Sequence, residues 1–434
     1  MLASKKRERF HYGWIIAVTT FLTMLAAAGI RATPGVLIVP LEQSFGWSAA
    51  TISLAISINL VLFGLSGPFA AALMQRVGIK RVMIVALILA GCAAALTTLM
   101  RAPWQLYLLW GVLVGLASGS LTNVLAAVIT NRWFVKNRGL VLGLLTASNA
   151  TGQLVFLPML ASLTVHPGWQ VAVLVSAGAT LVVALLVVIF MKERPQDIGL
   201  RPYGASSDES VQESKENPIF VAMRGLVRGA RSADFWLLAG SFFICGATTN
   251  GLIGTHLIPA SMDHGIPEVT AASMLAVIGV FDLIGTTASG WLSDRIDNRW
   301  LLCWYYGLRG ISLLFLPYAL GSNYLSLGLF IIFYGLDWVA TVPPTTRLTA
   351  DIFGKEQVGI IFGWIFAAHQ LGAASAALGA GILRTWLGNY QIAFQTAGLL
   401  GLVAAGMVIR IGRKRQVEER ETEIEGVGMA TALD

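Results

Sequence analysis

Twelve apolar runs, cut apart by short polar turns and one long polar stretch, leave this chain very few folds. Their approximate limits are 12–40, 51–73, 82–100, 104–130, 139–164 and 169–191, then 235–259, 270–292, 300–320, 325–346, 358–383 and 391–411. Each is near the roughly 20 residues that carry a helix across a bilayer. Only 12% of the residues are charged, against about 25% in ordinary soluble domains. The runs therefore predict an all-α membrane protein.

The first run follows a basic start, Lys5-Lys6-Arg7-Glu8-Arg9, and Ala26-Ala27-Ala28 imitates a signal-peptidase site. Yet the run is much longer than the 7–15-residue apolar core of a signal peptide, so it counts as a span. The polar stretch Lys192–Ser232, rich in Ser, Glu and Arg, holds nothing able to cross. The expected organisation is a cytoplasmic N-terminus (1–11), six spans (12–191), a cytoplasmic loop (192–232), six more spans (233–411) and a cytoplasmic tail (412–434).

Basic residues orient the spans, because cytoplasmic loops collect Lys and Arg. With the N-terminus inside, 26 of the 30 Lys and Arg fall on the inner side. Arg101 and Arg384 alone fall outside, and Arg31 and Arg309 lie within spans. Both termini are expected in the cytoplasm, of a bacterial inner membrane. The same asymmetry explains the net charge of +7 without a nucleic-acid partner. Cys92, Cys245 and Cys303 each sit in an apolar run and in no paired motif, so they imply neither disulfide nor metal. No cofactor motif, phosphate loop or nucleophile–base pair is visible, which argues against an enzyme.

Two loops echo one another. Arg76 and Arg295, Phe134 and Phe353, and Lys136 and Lys355 share a single offset of 219 residues, as two parallel six-helix halves would produce. The second copy of the loop motif is fuller: Gly290, Asp294, Arg295 and Arg299 read G-x-x-x-D-R-x-x-x-R between spans 8 and 9. In the first copy Arg76, Gly78 and Arg81 remain, while Gln75 replaces the acid.

Six plus six spans with this loop motif resemble the major facilitator superfamily over almost the whole chain. The resemblance implies two pseudo-symmetric six-helix bundles around a central cavity, working as a monomer. One bundle rocks against the other in alternating access. The loop motif would then latch the cytoplasmic side, a carboxylate resting on a helix N-terminus and arginines on carbonyls and acids. A charged turn that only sets topology is the plainer reading. Tyr12-Gly13-Trp14, Trp133-Phe134, Arg138-Gly139 and Asp282 further resemble the monocarboxylate and oxalate/formate porter branch. Animal-type monocarboxylate transporters carry a basic residue late in span 1, matched here by Arg31. They carry an Asp on span 8, matched by Asp282, with an Arg four residues on. Thr286 stands in place of that Arg.

The intramembrane charges are Arg31, Asp282, Arg309 and Asp337. At least about 2.5 kcal/mol per charge at mid-bilayer makes such residues face a cavity or a partner. Arg31 is expected to hold a carboxylate substrate, or else to snorkel or brace its helix. Asp282 is expected to carry a proton, or to pair permanently with Arg309. Asp337, before Trp338 and the helix-breaking pair Pro343-Pro344, is a second proton-coupling candidate or the neutraliser of Arg309. Asn59, Asn149, Gln153, Asn250, His256, His369 and Gln370 supply hydrogen-bonding groups for substrate.

The expected function is proton-coupled symport of a small organic anion such as a monocarboxylate. The alternatives are a proton-driven exporter of lipophilic compounds and a non-transporting sensor. Against the exporter, Gly143 and Gly152 of span 5 have no adjacent proline.

Overall fold

The computed structural model describes residues 11–205, 218–321, 324–354 and 357–412. The basic run Lys5–Arg9, Lys355 and the tail from Arg413 onward lie outside these residues, as do the side chains of Gln75, Arg138 and Gly139. The long helices of the first half are α1 Gly13–Phe45, α2 Ala49–Val77, α3 Ile79–Leu96, α4 Pro103–Trp133, α5 Arg138–Val165 and α6 Trp169–Phe190. Those of the second are α7 Ala233–Asp263, α8 Glu268–Ser293, α9 Asn298–Gly321, α10 Leu325–Phe353, α11 Val358–Leu387 and α12 Gln391–Val408. Among the described residues, 11 helices are long and apolar enough to cross a membrane. The exception is α9: its 24 residues reach far enough at about 1.5 Å each, but Arg309 and its Trp and Tyr residues lower its hydropathy.

Each half centres its own core, with Ala377 joining that of the first half and Val36, Leu157 and Ala161 joining that of the second. In the first, Trp110, Leu125, Trp133 and Val187 are buried together between α1, α3, α4 and α6. In the second, Leu313, Phe330, Tyr334 and Phe394 form one cluster and Phe242, Leu302, Tyr306 and Ile365 another. Two helices contain wider, π-type turns, Tyr107–Val114 in α4 and Ala247–Ile253 in α7. The second holds Thr248, Thr249 and Asn250, and such turns often mark functional positions.

The aromatic pairs that carried the branch resemblance meet at the inner face. Trp14 packs edge-on to Phe134 at 5.5 Å, and Tyr12 approaches Trp133 at 6.2 Å. Tyr203, from the start of the central loop, closes over Phe134 and Trp14, and its N–H donates to the Trp133 carbonyl at 2.8 Å.

The halves touch along α5 and α8 and along two further seams, both tight at the outer side. A Cβ on Gly35 of α1 would lie 3.1 Å from the Gly254 carbonyl of α7. Along the other seam α11 crosses α2 antiparallel: a Cβ on Gly381 would collide with Ser53, and the Ala50 N–H donates to Thr385 at 3.0 Å. The contact persists to mid-membrane, where Gly64 rests on the Gln370 side chain. Two turns further inward on the same stripe of α11, Gly363 has no neighbour within 4 Å among the described residues, and neither does Gly143 on α5 or Gly290 on α8. The seams are closed at the outer end, and among the described residues the inner end leaves space beside these three glycines.

The described part of the central stretch is more ordered than its polarity predicts. It contains a loop helix, Pro218–Ala230, seated on the inner ends of α2, α7 and α11.

Candidate functional site

The break in α10 organises the second half. Pro343 and Pro344 have no N–H to donate, so the helix stops at Asp337 and resumes at Val342. The backbone groups freed between them must find partners, since bilayer hydrocarbon supplies none. Side chains of α8 and α9 supply them. The Val339 N–H donates to Asp282 Oδ1 at 2.9 Å, and the Ser289 hydroxyl donates to the Ala340 carbonyl at 2.5 Å. Arg309 donates through Nη2 to the carbonyls of Asp337 and Trp338.

Arg309 also binds the Asp337 carboxylate, Nε to Oδ2 at 2.6 Å, with its Nη1 on Cys245 Sγ at 2.9 Å. Arg309 is 1% and Asp337 5% exposed, so this pair is internal to the second half. It resolves the sequence ambiguity about Arg309: its partner is Asp337, and no ion pair with Asp282 forms.

Asp282 is buried with no cation inside ion-pair distance among the described residues. Both its hydrogen bonds fall on Oδ1, from Val339 and from the Thr286 hydroxyl at 2.8 Å. Its Oδ2 accepts none, yet is not among the buried polar atoms left without a partner. One oxygen is anchored; the other is free of hydrogen bonds and not fully enclosed. Thr286 thus serves the carboxylate one turn before it.

Arg31 is the counterpart in the first half. Its Nη2 donates to Asn149 Oδ1 on α5 at 2.7 Å, and its guanidinium lies 4.6 Å from the centroid of the Phe63 ring on α2. No carboxylate is within ion-pair distance among the described residues. Gln153 follows Asn149 by one turn and is half-buried. Arg31 lies one turn inward of Gly35, and Asn250 one turn inward of Gly254, so the two parallel helices bring Arg31 and Asn250 to the same level. Phe63 precedes Gly64, which touches Gln370, and Gln370 Oε1 is buried without a partner. Arg31 is therefore in contact with both Asn149 and Phe63, with Gln370 against the residue after Phe63 and Asn250 at the level of Arg31 on the neighbouring helix.

Other candidates are engaged elsewhere. Asn59 donates to the Trp110 carbonyl at 2.8 Å and ties α2 to α4. His256 spends both ring nitrogens inside the second half, on Tyr390 at 3.2 Å and the Ala377 carbonyl at 2.8 Å. His369 stacks on Phe366 at 5.6 Å, packs against Phe242, and leaves Nδ1 buried without a partner.

At the inner loops, the acid missing from the first motif copy arrives from another place. Glu193, after α6, accepts from the N–H groups of Ile79 at 2.7 Å and Lys80 at 2.9 Å, capping α3 where the helix dipole favours an anion. Gly78 has φ +103, and a Cβ there would sit 2.6 Å from Glu193. Arg76 and Arg81 are exposed. In the second copy, Asp294 pairs with Arg347 of α10 at 2.8 Å and Arg295 stacks on Trp291 at 4.1 Å. Arg299 binds Asp297, and these hydrogen bonds hold the Asp297 carboxyl below the usual carboxylate range. These contacts of Asp294, Arg295 and Asp297 all stay within the second half. At the outer face, Arg384 binds Asp263 at 2.8 Å, with Glu42 of α1 in electrostatic reach of both.

The family model described as Major Facilitator Superfamily matches residues 19–346 and 244–431. An uncharacterized MFS-type transporter of Bacillus subtilis, YcxA, is 24% identical over 378 residues, covering 85% of this chain and 88% of that one. Monocarboxylate transporter 13 of Rattus norvegicus is 25% identical over 410 residues, covering 92% and 89%. Monocarboxylate transporter 12 of Homo sapiens is 23% identical over 440 residues, covering 94% and 82%. Among solved structures, an inward-facing, unoccupied bacterial homologue of the human lysosomal transporter Spinster superposes with a TM-score of 0.73 at 15% identity, covering 93% and 97%.

Proposed function

The chain belongs to the major facilitator superfamily and is an integral membrane transporter, not an enzyme; from that premise we propose that it takes up a small organic anion of the monocarboxylate class together with a proton. The observation that carries this reading is how the buried charges pair. Arg309 and Asp337 neutralise one another inside the second half. Arg31 in the first half and Asp282 in the second have no charged partner among the described residues.

A substrate carboxylate between the bundles meets the Arg31 guanidinium, whose planar fork suits two parallel hydrogen bonds. Asn149 and Phe63 fix the orientation of that fork. Asn250 and the unpartnered Gln370 amide stand on the opposite bundle to bind the rest of the molecule. Asp282 takes the proton on Oδ2 while Oδ1 keeps the Val339 N–H, so the α10 break survives both protonation states. The relatives named as monocarboxylate transporters support the substrate class. The distribution of basic residues supports both termini on the cytoplasmic side; a bacterial inner membrane and one chain as the functional unit are part of the same proposal.

The test is uptake of labelled monocarboxylates by proteoliposomes under an inward proton gradient. Uptake is expected to rise with the gradient, Asp282→Asn to abolish that dependence, and Arg31→Ala to raise KM at least about tenfold, the loss of one charge-assisted pair. Uptake indifferent to the gradient in both the wild type and Asp282→Asn overturns the coupling. Uptake of neutral but not anionic compounds overturns the substrate class.

A further inference from the structure

We infer that the loop helix Pro218–Ala230 lies in the inner leaflet of the membrane and recognises anionic phospholipid headgroups. The sequence of the helix already separates three faces at about 100° per residue. Ile219, Phe220, Met223 and Val227 fall within roughly 100° of arc and are exposed, Phe220 by 70% and Val227 by 53%. The face made by Ala222, Gly225, Leu226 and Gly229 turns to the protein. Gly225 fits against Ile360 of α11, the Trp364 indole donates to the Ala222 carbonyl at 2.9 Å, and Gly229 fits against Phe235 of α7. Arg224, Arg228 and Arg231 border the apolar face on its other side.

Four large apolar side chains held in water by a helix already seated on its own protein cost free energy without return. The depth of the helix gives those side chains an apolar medium. It rests on the inner ends of α2, α7 and α11, where the hydrocarbon stops. Trp236, next along the chain, is 60% exposed at that level and ties its indole to the Ala230 carbonyl at 2.9 Å. Exposed tryptophan concentrates at the boundary of hydrocarbon and headgroup. An in-plane helix with its apolar face sunk in the acyl chains and arginines at the rim is the geometry of interfacial binding. The rim charges select the lipid: an anionic leaflet attracts each basic residue by about fivefold in partition, and a zwitterionic one does not. Because the helix touches α2 of one half and α11 of the other, the lipid it holds sits across the inner mouth.

The experiment uses the full chain in proteoliposomes of equimolar phosphatidylglycerol and phosphatidylcholine, with a photo-crosslinking benzophenone residue replacing Phe220. After illumination, mass spectrometry of the protein reads which lipid is attached. Phosphatidylglycerol adducts are expected to exceed phosphatidylcholine adducts by at least about threefold, within the attraction three arginines provide. The excess should vanish in the Arg224→Gln, Arg228→Gln, Arg231→Gln variant and return when the three are lysine. Equal labelling of the two lipids in the wild type overturns headgroup recognition. Adducts to protein alone, whether this chain or a second copy, overturn the membrane placement.

Discussion

Arg309 and Arg31 carry the same charge in the same bilayer and face opposite fates. Arg309 is enclosed by a carboxylate, two carbonyls and a thiol, and its removal strands Asp337 in the core. Breaking one partner of such a pair costs about 3–5 kcal/mol, whereas replacing both by apolar residues of similar volume is often neutral. Arg309→Ala should therefore lower resistance to denaturant-induced unfolding in detergent by that amount, and the double change Arg309→Met with Asp337→Leu should recover only the share owed to the stranded carboxylate, since the Asp337 and Trp338 carbonyls lose their donor in both. Equal losses in the single and double variants would make the pair a net source of stability. Gly78→Ala tests a second single residue. Its backbone at φ +103 suits glycine, and a Cβ would press on the Glu193 cap, so a loss of about 1–3 kcal/mol is expected. The two intramembrane arginines were visible in the sequence as unusual, but their partners were not. Glu193 lies 114 residues from Ile79, and Asn149 lies 118 from Arg31. Pairing over such separations is set by helix packing, which periodicity does not encode. Thr286 shows the converse: its position was known, but only its hydrogen bond to Asp282 gives it a role.

The broken helix α10 is where element-level reasoning succeeded from composition alone. Adjacent prolines forecast the interruption, because neither can donate the backbone hydrogen bond that a continuous helix needs. What the sequence left open was how the break is satisfied, and that answer comes from helices before it in the chain. Asp282 and Ser289 on α8 hold Val339 and Ala340, and Arg309 on α9 holds the carbonyls before them. Structural and coupling roles of Asp282 can therefore be separated. An asparagine keeps an oxygen for the Val339 N–H, so Asp282→Asn should change stability by less than about 1 kcal/mol. Asp282→Leu leaves that N–H unpaired and should cost about 1–3 kcal/mol. Unfolding curves for both variants, read beside their uptake, check this; an Asn variant as unstable as the Leu variant would tie any transport loss to folding. The loop helix is the element that sequence reading missed. Its glycines, Gly225 and Gly229, lower helix propensity, and its apolar face is only four residues wide in a stretch dominated by charge. Gly225 and Gly229 are the residues that let it seat on α11 and α7.

At the scale of the whole molecule, the two halves touch tightly at the outer end and, among the described residues, leave space beside Gly363 at the inner end. One stripe of α11 displays the gradient: Gly381 against Ser53, Gln370 against Gly64, and Gly363 against nothing within 4 Å among the described residues. The opposite form, open outside, needs the inner end of that stripe to close and the outer end to separate. Bulk at the two glycines should then push the equilibrium in opposite directions. Valine at position 381 overpacks only the closed outer seam. Overpacking costs about 1–3 kcal/mol, and each 1.4 kcal/mol moves the ratio of the two forms about tenfold. Gly381→Val should therefore favour the outward-open form by roughly 5- to 150-fold, and Gly363→Val should favour the inward-open form by obstructing inner closure. Spin-label distances across the outer ends of α2 and α11 report the populations directly: longer for Gly381→Val and shorter for Gly363→Val than in the wild type. Both variants should transport more slowly, since a cycle that visits two forms is slowed by trapping either. Shifts in the same direction would mean that the stripe of α11 does not close at its inner end, and the seam between α2 and α11 would then be a fixed hinge.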